Sequence, residues 1–134
     1  MASRALVYPD NGLPRKAVAG DGNLVSLKPV ELTADSNITL TWDNFAGGLI
    51  IKSGHTAGRT LTFPTATSIQ AQLNNMEIGE SIIVKISNQP AFALTIAAGT
   101  GGTVASTKTT VPSSAYGEVL FAKTGGSTYN VYVL

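Results

Sequence analysis

The side chains with the chemistry for catalysis or metal binding are few in this chain and do not form clusters. The 134 residues contain no cysteine, which excludes disulfides, thiolate catalysis and cysteine zinc sites. The one histidine, His55, has no second histidine with which to share a metal ion. It lies in the stretch S-G-H-T-A-G at positions 53–58, which is typical of a loop, and we expect its imidazole to be exposed to solvent.

The remaining candidates for catalysis lack the spacing that each reaction needs. The acidic residues are scattered through the turns and the N-terminal segment, whereas a glycosidase needs two carboxylates about 5–10 Å apart across a cleft. No serine occupies a nucleophile elbow. Gly99-Thr100-Gly101-Gly102 lacks the lysine and the following helix of a phosphate-binding loop, so it predicts a glycine turn. We therefore expect no enzymatic activity, no metal and no cofactor.

The composition is that of a globular chain with few charges. Hydrophobic residues make up 43% of the chain and charged residues only 13%, about half the usual share. The formal net charge of +1 predicts no nucleic-acid partner. No apolar run approaches the ~20 residues that cross a membrane, and the N terminus lacks the apolar core of a signal peptide, so we expect synthesis in the cytoplasm and no membrane partner. Such a surface suits packing against other subunits, although a threonine-rich domain without an obligate partner would share this composition.

Alternating apolar and polar residues predict a series of short strands. The predicted strands lie at 36–42, 48–53, 59–63, 81–88, 91–98, 103–110, 116–123 and 129–134. The second and third are expected to pair in antiparallel fashion, and the fourth and fifth form the strongest predicted hairpin. The last two form a second hairpin over Thr124-Gly125-Gly126-Ser127.

One short helix is predicted between the third and fourth strands. Thr67 and Gln70 have the spacing of a capping box. Ile69, Leu73 and Met76 then follow at helical spacing and form one apolar stripe.

These elements predict an all-β fold, an antiparallel β-sandwich or jelly-roll-like barrel with one short helix. The predicted β domain covers 36–134 and an extended N-terminal arm covers 1–35. The final hairpin is apolar on both faces, so one face is expected to meet the arm or a neighbouring subunit. The residues predicted for this subunit interface are Tyr116, Leu120, Tyr129, Tyr132 and Leu134.

The N-terminal arm has no sustained strand or helix period. Pro9, Pro14 and Pro29 and the turn pairs Asn11-Gly12 and Asp21-Gly22 predict an extended segment with reversals. Its many apolar side chains need a surface to lie on. That surface is either the chain's own β domain or a neighbouring chain.

The segment from Gly58 to the C terminus resembles a pattern found in virion surface proteins of tailed phages. In those proteins a "tLptA…i…l…vGdsi…f.i.N" segment leads to a "ltiaaGtGvtv" hairpin and an aromatic C-terminal strand. The matching positions are Leu61, Pro64, Thr65, Ala66, Ile69, Leu73, Gly79, Ser81, Asn88, Leu94, Ile96, Gly99 and Gly101. The resemblance points to capsid decoration (cement) proteins and some fibre domains, and the arm lies outside it.

For a decoration protein, the resemblance implies a homotrimer, less often a dimer, on the outer surface of the capsid, with the major capsid protein as partner and synthesis in the host cytoplasm. The arm would touch the shell, and the residues predicted for capsid contact are Arg4, Leu6, Tyr8, Leu13, Arg15 and Lys16. One alternative is a receptor- or glycan-binding module of a head or tail fibre, with Trp42, Tyr116 and Tyr129 as the candidate aromatic side chains. A second alternative is a structural domain of a larger assembly such as a tail tube.

Overall fold

The computed structural model describes residues 28–134, and strands make up 47% of this part of the chain against 10% for helices. The predicted β-rich fold is thereby confirmed. The six residues predicted for capsid contact lie outside the described residues. The strands are β1 (Lys28–Leu32), β2 (Ile38–Thr39), β3 (Gly48–Lys52), β4 (Arg59–Thr62), β5 (Ser81–Asn88), β6 (Leu94–Ala97), β7 (Gly102–Val104), β8 (Thr110–Val111), β9 (Ala115–Gly125) and β10 (Thr128–Val133). Two helices accompany them within the described residues, α1 (Trp42–Phe45) and α2 (Ala66–Gln72). Neither is long and apolar enough to cross a membrane.

The strands form two mixed sheets that enclose one core. The six-stranded sheet has the order β1-β3-β5-β9-β10-β7, and the four-stranded sheet has the order β2-β4-β6-β8. Within the first six strands the chain alternates between the sheets. β1, β3 and β5 are therefore parallel neighbours in one sheet, and β2, β4 and β6 are parallel neighbours in the other. The chain thus winds three times around the core, as in a short parallel β-helix.

The predicted antiparallel pairings before the last hairpin are wrong. β3 and β4 lie in different sheets, and so do β5 and β6. The loops that join them cross from one sheet to the other. The sequence does not distinguish such a short crossing loop from the loop of a hairpin. The hairpin of β9 and β10 is antiparallel as predicted. Because the sheets are mixed, the strand order does not confirm a jelly roll.

The sheet begins inside the segment predicted to be the arm. β1 pairs in register with β3, from Lys28 opposite Gly48 to Leu32 opposite Lys52. Leu32 also packs against the core. Residues 28–32 therefore belong to the β domain, and an arm that precedes the sheet can extend only to residue 27.

The two helices differ in detail from the sequence prediction. Trp42, predicted to end a strand, instead begins α1, where the Thr41 amide donates a hydrogen bond of 2.8 Å to Asn44 Oδ1. The helix predicted after the fourth observed strand is present as α2. Its N-cap is Thr65, whose hydroxyl oxygen accepts from the Ser68 amide at 3.2 Å, so the predicted Thr67–Gln70 box is wrong.

Aromatic rings fill the centre of the core. Phe45, Phe63, Phe121 and Tyr129 are each at most 3% exposed. The Phe121 ring lies 4.4 Å from the Tyr129 ring and 6.2 Å from the Phe63 ring, measured between centroids. Gly102 on β7 leaves space for the Tyr129 ring, which a Cβ atom at that position would overlap. Tyr129, predicted for the subunit interface, is therefore a core residue.

The Tyr129 hydroxyl forms hydrogen bonds with the backbone before α2 and with the turn after β6. It donates to Pro64 O at 2.6 Å and accepts from the Gly99 amide at 3.2 Å, and burial raises the pKa of the phenol.

We expect Tyr129→Phe to lower the free energy of unfolding by about 1–2 kcal/mol, because two backbone groups lose their partner. Urea unfolding followed by circular dichroism measures the change. Tyr116→Phe, at a residue that is 83% exposed, is the matched control and should leave the urea midpoint unchanged. An equal loss in both variants would contradict the prediction.

Candidate functional site

The outer face of the six-stranded sheet is the most unusual surface of the described residues. Side chains alternate along a strand, so the burial of Val84 and Ile86 between the sheets places Ile83 and Lys85 on the opposite, solvent side. The same alternation applies to β9 and β10. The outer face includes Glu31, Leu49, Ile51, Ile83, Lys85, Tyr116, Glu118, Leu120, Asn130, Tyr132 and Leu134.

Large apolar side chains are exposed across this outer face. Ile83 opposes Leu120 on β9, and Leu120 opposes Tyr132 on β10, which makes a continuous apolar row across three strands. Ile83 is 49% exposed, Leu134 53% and Tyr116 83%. Contiguous exposed apolar side chains are uncommon on monomeric proteins and mark interaction surfaces.

Two charged side chains at the centre of the outer face form a pair with each other. Lys85 Nζ lies 2.7 Å from Glu118 Oε2, in register across β5 and β9. Both side chains are about half exposed, and such pairs stabilise a fold by at most about 1 kcal/mol. The pair leaves the centre of the face without net charge, and the carboxylate of Glu31 lies at the β1 edge, in register with Ile51.

Four of the five residues predicted for the subunit interface lie on this outer face. Tyr116 and Leu134 are exposed, while Leu120 and Tyr132 are half-buried. Tyr129 alternates with them along β10 and points inward, which is why it belongs to the core. Ile83 was absent from the predicted set, although its position between inward-facing residues on β5 already indicated an outward side chain.

The edge of the sheet at β1 is poorly suited to adding another strand. The Lys28 amide donates to Gly47 O on the β3 side. Amides alternate in direction along a strand, so those of Pro29 and Glu31 would point outward, and proline has no N–H to donate. This edge therefore favours contact through the outer face over extension of the sheet.

A buried polar cluster lies between the loops that cross from the six-stranded to the four-stranded sheet. We call Lys52, His55 and Asn88 the loop-stack cluster. Lys52 Nζ donates to Ala34 O at 2.8 Å and to Ser53 O at 2.9 Å, and it lies 3.3 Å from His55 Nδ1. His55 Nε2 is 3.3 Å from Phe92 O. These contacts join three successive crossing loops.

His55 is buried, so the prediction of a solvent-exposed imidazole is wrong. It is 3% exposed and Lys52 is fully buried. If Nε2 carries the proton and donates to Phe92 O, Nδ1 accepts from the ammonium, and this tautomer satisfies both ring nitrogens. Burial lowers the pKa of Lys52. Since Lys52 and the His55 ring are satisfied by these contacts away from solvent, we assign this part of the loop-stack cluster a structural role.

Asn88 extends the same cluster to β8. Its Nδ2 donates to Phe92 O and to Pro112 O, both at 2.9 Å. The side chain is 1% exposed and lies next to Lys52, its register partner on β3. Among residues 28–134, no three metal-ligating side chains of His, Cys, Asp or Glu come together.

Asp35 links the first crossing loop to the second at the protein surface. Hydrogen bonds from the Thr56 hydroxyl and amide, and then from Arg59, hold the pKa of this carboxyl well below its usual range. The hydroxyl bond is 2.6 Å and the amide bond 3.0 Å. The ionised carboxylate therefore stabilises the folded chain.

The low pKa of Asp35 predicts a loss of stability in acid. Because the folded pKa lies below the unfolded value of about 3.9, the stabilisation is complete well above that pH and is lost progressively as pH falls from it toward the folded pKa. Asp35→Asn should lower the urea midpoint at pH 7, and its difference from wild type should shrink between about pH 5 and pH 3. Asp43→Asn, at an exposed residue in α1, is the control. If the urea midpoints of wild type and Asp35→Asn differed by the same amount over this whole pH range, the proposed contribution of Asp35 would be refuted.

Comparison with known proteins gives no counterpart for this surface: no family model, curated protein or solved structure matches the chain. The likeness to phage virion proteins therefore rests on the sequence pattern after Gly58. What the outer face can do follows from its side chains, which are mostly apolar at its centre and lie on a hydrogen-bonded sheet. These properties suit contact with another protein surface.

Proposed function

We propose that the protein is a virion structural protein that decorates and stabilises the outer surface of a mature tailed-phage head. The sequence pattern between Gly58 and the C terminus supports the phage assignment. The observation that carries the proposal is the apolar row of the exposed Ile83 and the half-buried Leu120 and Tyr132 on the outer face. We expect this face to be buried between the subunits of a homotrimer. A homodimer is the second expectation.

The proposed mechanism combines two kinds of contact. Copies of the β domain associate through their outer faces, and the segment 1–27 of each copy binds the major capsid protein. Each arm contact can be weak, because linked arms bind with a raised effective concentration. The decorated shell is then held by many such contacts repeated over its surface.

Co-sedimentation with head shells tests the proposal directly. Purified protein is mixed with expanded and unexpanded shells of the parent phage, and the bound fraction is measured against protein concentration. We expect saturable binding to expanded shells. The variant that lacks residues 1–27 keeps β1 and should remain folded but fail to bind. Absence of binding by the full chain to either shell would refute a decoration role, and full occupancy by the truncated variant would refute the role of the arm.

The oligomer should depend on the outer face. Ile83→Arg puts a bulky cation in the middle of the apolar row, and we expect association to weaken by roughly tenfold or more. Light scattering coupled to size-exclusion chromatography, over a range of concentrations, gives the oligomeric state. Ile78→Arg is the matched control, because Ile78 is 67% exposed in the turn before β5 and lies off this face.

The two variants together separate a specific contact from a general effect of charge. If Ile83→Arg and Ile78→Arg associate equally well, the outer face is not the subunit interface. Circular dichroism spectra should match that of wild type in both cases, because both side chains are exposed in the isolated chain.

A further inference from the structure

A groove beside Trp42 forms a second possible binding surface, away from the outer face. It has a volume of about 370 Å³, which falls in the range of small-molecule sites. We call it the Trp42 groove. Its lining residues are Thr39, Leu40, Thr41, Trp42, Pro64, Thr65, Ser68 and Gln72.

Two walls and a floor make up the Trp42 groove. Thr65, Ser68 and Gln72 recur at helical spacing along one side of α2, whose other side buries Ala66 and Ile69 in the core. This wall presents the Ser68 hydroxyl and the Gln72 amide, while the Thr65 hydroxyl is bonded to Ser68. Leu40 and Pro64 are buried and line the groove with apolar atoms.

The opposite wall carries an aromatic ring with a fixed position. Trp42 is half-buried and packs against the core. Its ring meets the Phe45 ring edge to face, with 5.2 Å between centroids and 74° between planes. The flanking Thr39 and Thr41 are exposed and add two hydroxyls.

The chemistry of the lining restricts the ligand. None of the eight lining residues is charged, so the groove offers no cation for a phosphate or carboxylate and no anion for an amine. An aromatic ring, an apolar floor and several neutral hydrogen-bonding groups suit a ligand with C–H faces and many hydroxyls. We infer that the Trp42 groove binds a neutral saccharide, such as one or two sugar units of a longer chain.

A peptide ligand fits this groove less well. Peptides that bind folded domains use either an unpaired strand edge or deep apolar pockets for anchor side chains. The strand next to the groove, β2, has only two residues, and its neighbour Leu40 already donates its amide to Thr62 O at 2.7 Å. The hydroxyl-rich lining instead matches a polyhydroxylated ligand.

Tryptophan fluorescence provides a direct test, because Trp42 is the only tryptophan in the chain. The full-length protein is titrated with neutral oligosaccharides, namely chitotriose, maltotriose and mannotriose, and with sialyllactose and a neutral tripeptide as comparators. We expect a saturable change in emission with at least one neutral oligosaccharide. No saturable change with any of the three, or a change only with sialyllactose or the tripeptide, overturns the inference.

A pair of glutamine variants locates the ligand. Gln72→Ala removes an amide that lines the groove and should weaken binding of the responding oligosaccharide about tenfold, the usual effect of one lost hydrogen bond. Gln70→Ala lies on another side of α2, outside the groove lining, and should leave the affinity unchanged. Equal affinities in the two variants would place the ligand elsewhere and overturn the inference. Binding to head shells is a separate measurement, and Gln72→Ala should not alter it.

Discussion

Replacing Lys52 with methionine is expected to lower the free energy of unfolding by about 2–4 kcal/mol. The side chain is fully buried, and its ammonium donates to the carbonyls of Ala34 and Ser53 and lies beside His55 Nδ1. Methionine fills a similar volume without a donor, so the buried His55 Nδ1 and the two partly buried carbonyls would lose this partner. Removal of the buried charge offsets part of this cost. Urea unfolding at pH 7 gives the difference.

Lys85→Met is the matched control for this prediction. Lys85 also lies on a strand of the six-stranded sheet, but its side chain is 52% exposed and pairs only with Glu118 across the outer face. We expect a change within about 0.5 kcal/mol, as is usual for exposed ion pairs. If both substitutions changed the free energy of unfolding equally, the Lys52 hydrogen bonds would contribute no more to stability than the contacts of an exposed lysine.

Replacing Phe121 with alanine is expected to cost about 3–5 kcal/mol of unfolding free energy, a large share of the stability of a domain this size. The Phe121 ring is 1% exposed and lies between the Phe63 and Tyr129 rings. Phe121 and Tyr129 lie on the six-stranded sheet, and Phe63 directly follows β4 of the four-stranded sheet, so the cavity would open where the layers meet. Thermal or urea unfolding should show a single transition at a lower midpoint.

Phe92→Ala provides the same change of side chain at a surface position. Phe92 is 42% exposed, and its contacts with the loop-stack cluster use only its backbone carbonyl. We expect its cost to stay below about 1 kcal/mol. If Phe121→Ala were as mild as Phe92→Ala, the aromatic rings would not be the main source of core stability.

The two substitutions act on different parts of the proposed function. Phe121 holds the sheets together, whereas Lys52 and its partners hold the crossing loops that connect them. The outer face lies on strands β3, β5, β9 and β10, so it depends on both. A folded but loosened variant would therefore be expected to associate less well, and the unfolding measurements must precede any test of the subunit interface.

The local pattern of the sequence determined the elements and the direction of most side chains. Alternation on β5, β9 and β10 predicted which residues of the final strands share a face, and the outer position of Tyr132 and Leu134 followed from it. The apolar stripe before β5 predicted α2. These features depend on neighbours in the chain, whose geometry is set by the strand and helix periods.

Only the tertiary structure decided which strands are partners and what the loops bury. Leu49 pairs with Lys85 and Arg59 with Leu94, across an insertion that contains α2, and no local signal specifies such distant parallel partners. Stacking of the crossing loops then removed Lys52 and His55 from water, although the loop sequence predicted an exposed imidazole for His55. The same winding placed Trp42 beside α2. Strand periods fix the faces of a sheet, but long-range hydrogen bonds and packing choose its neighbours, and these depend on the whole chain.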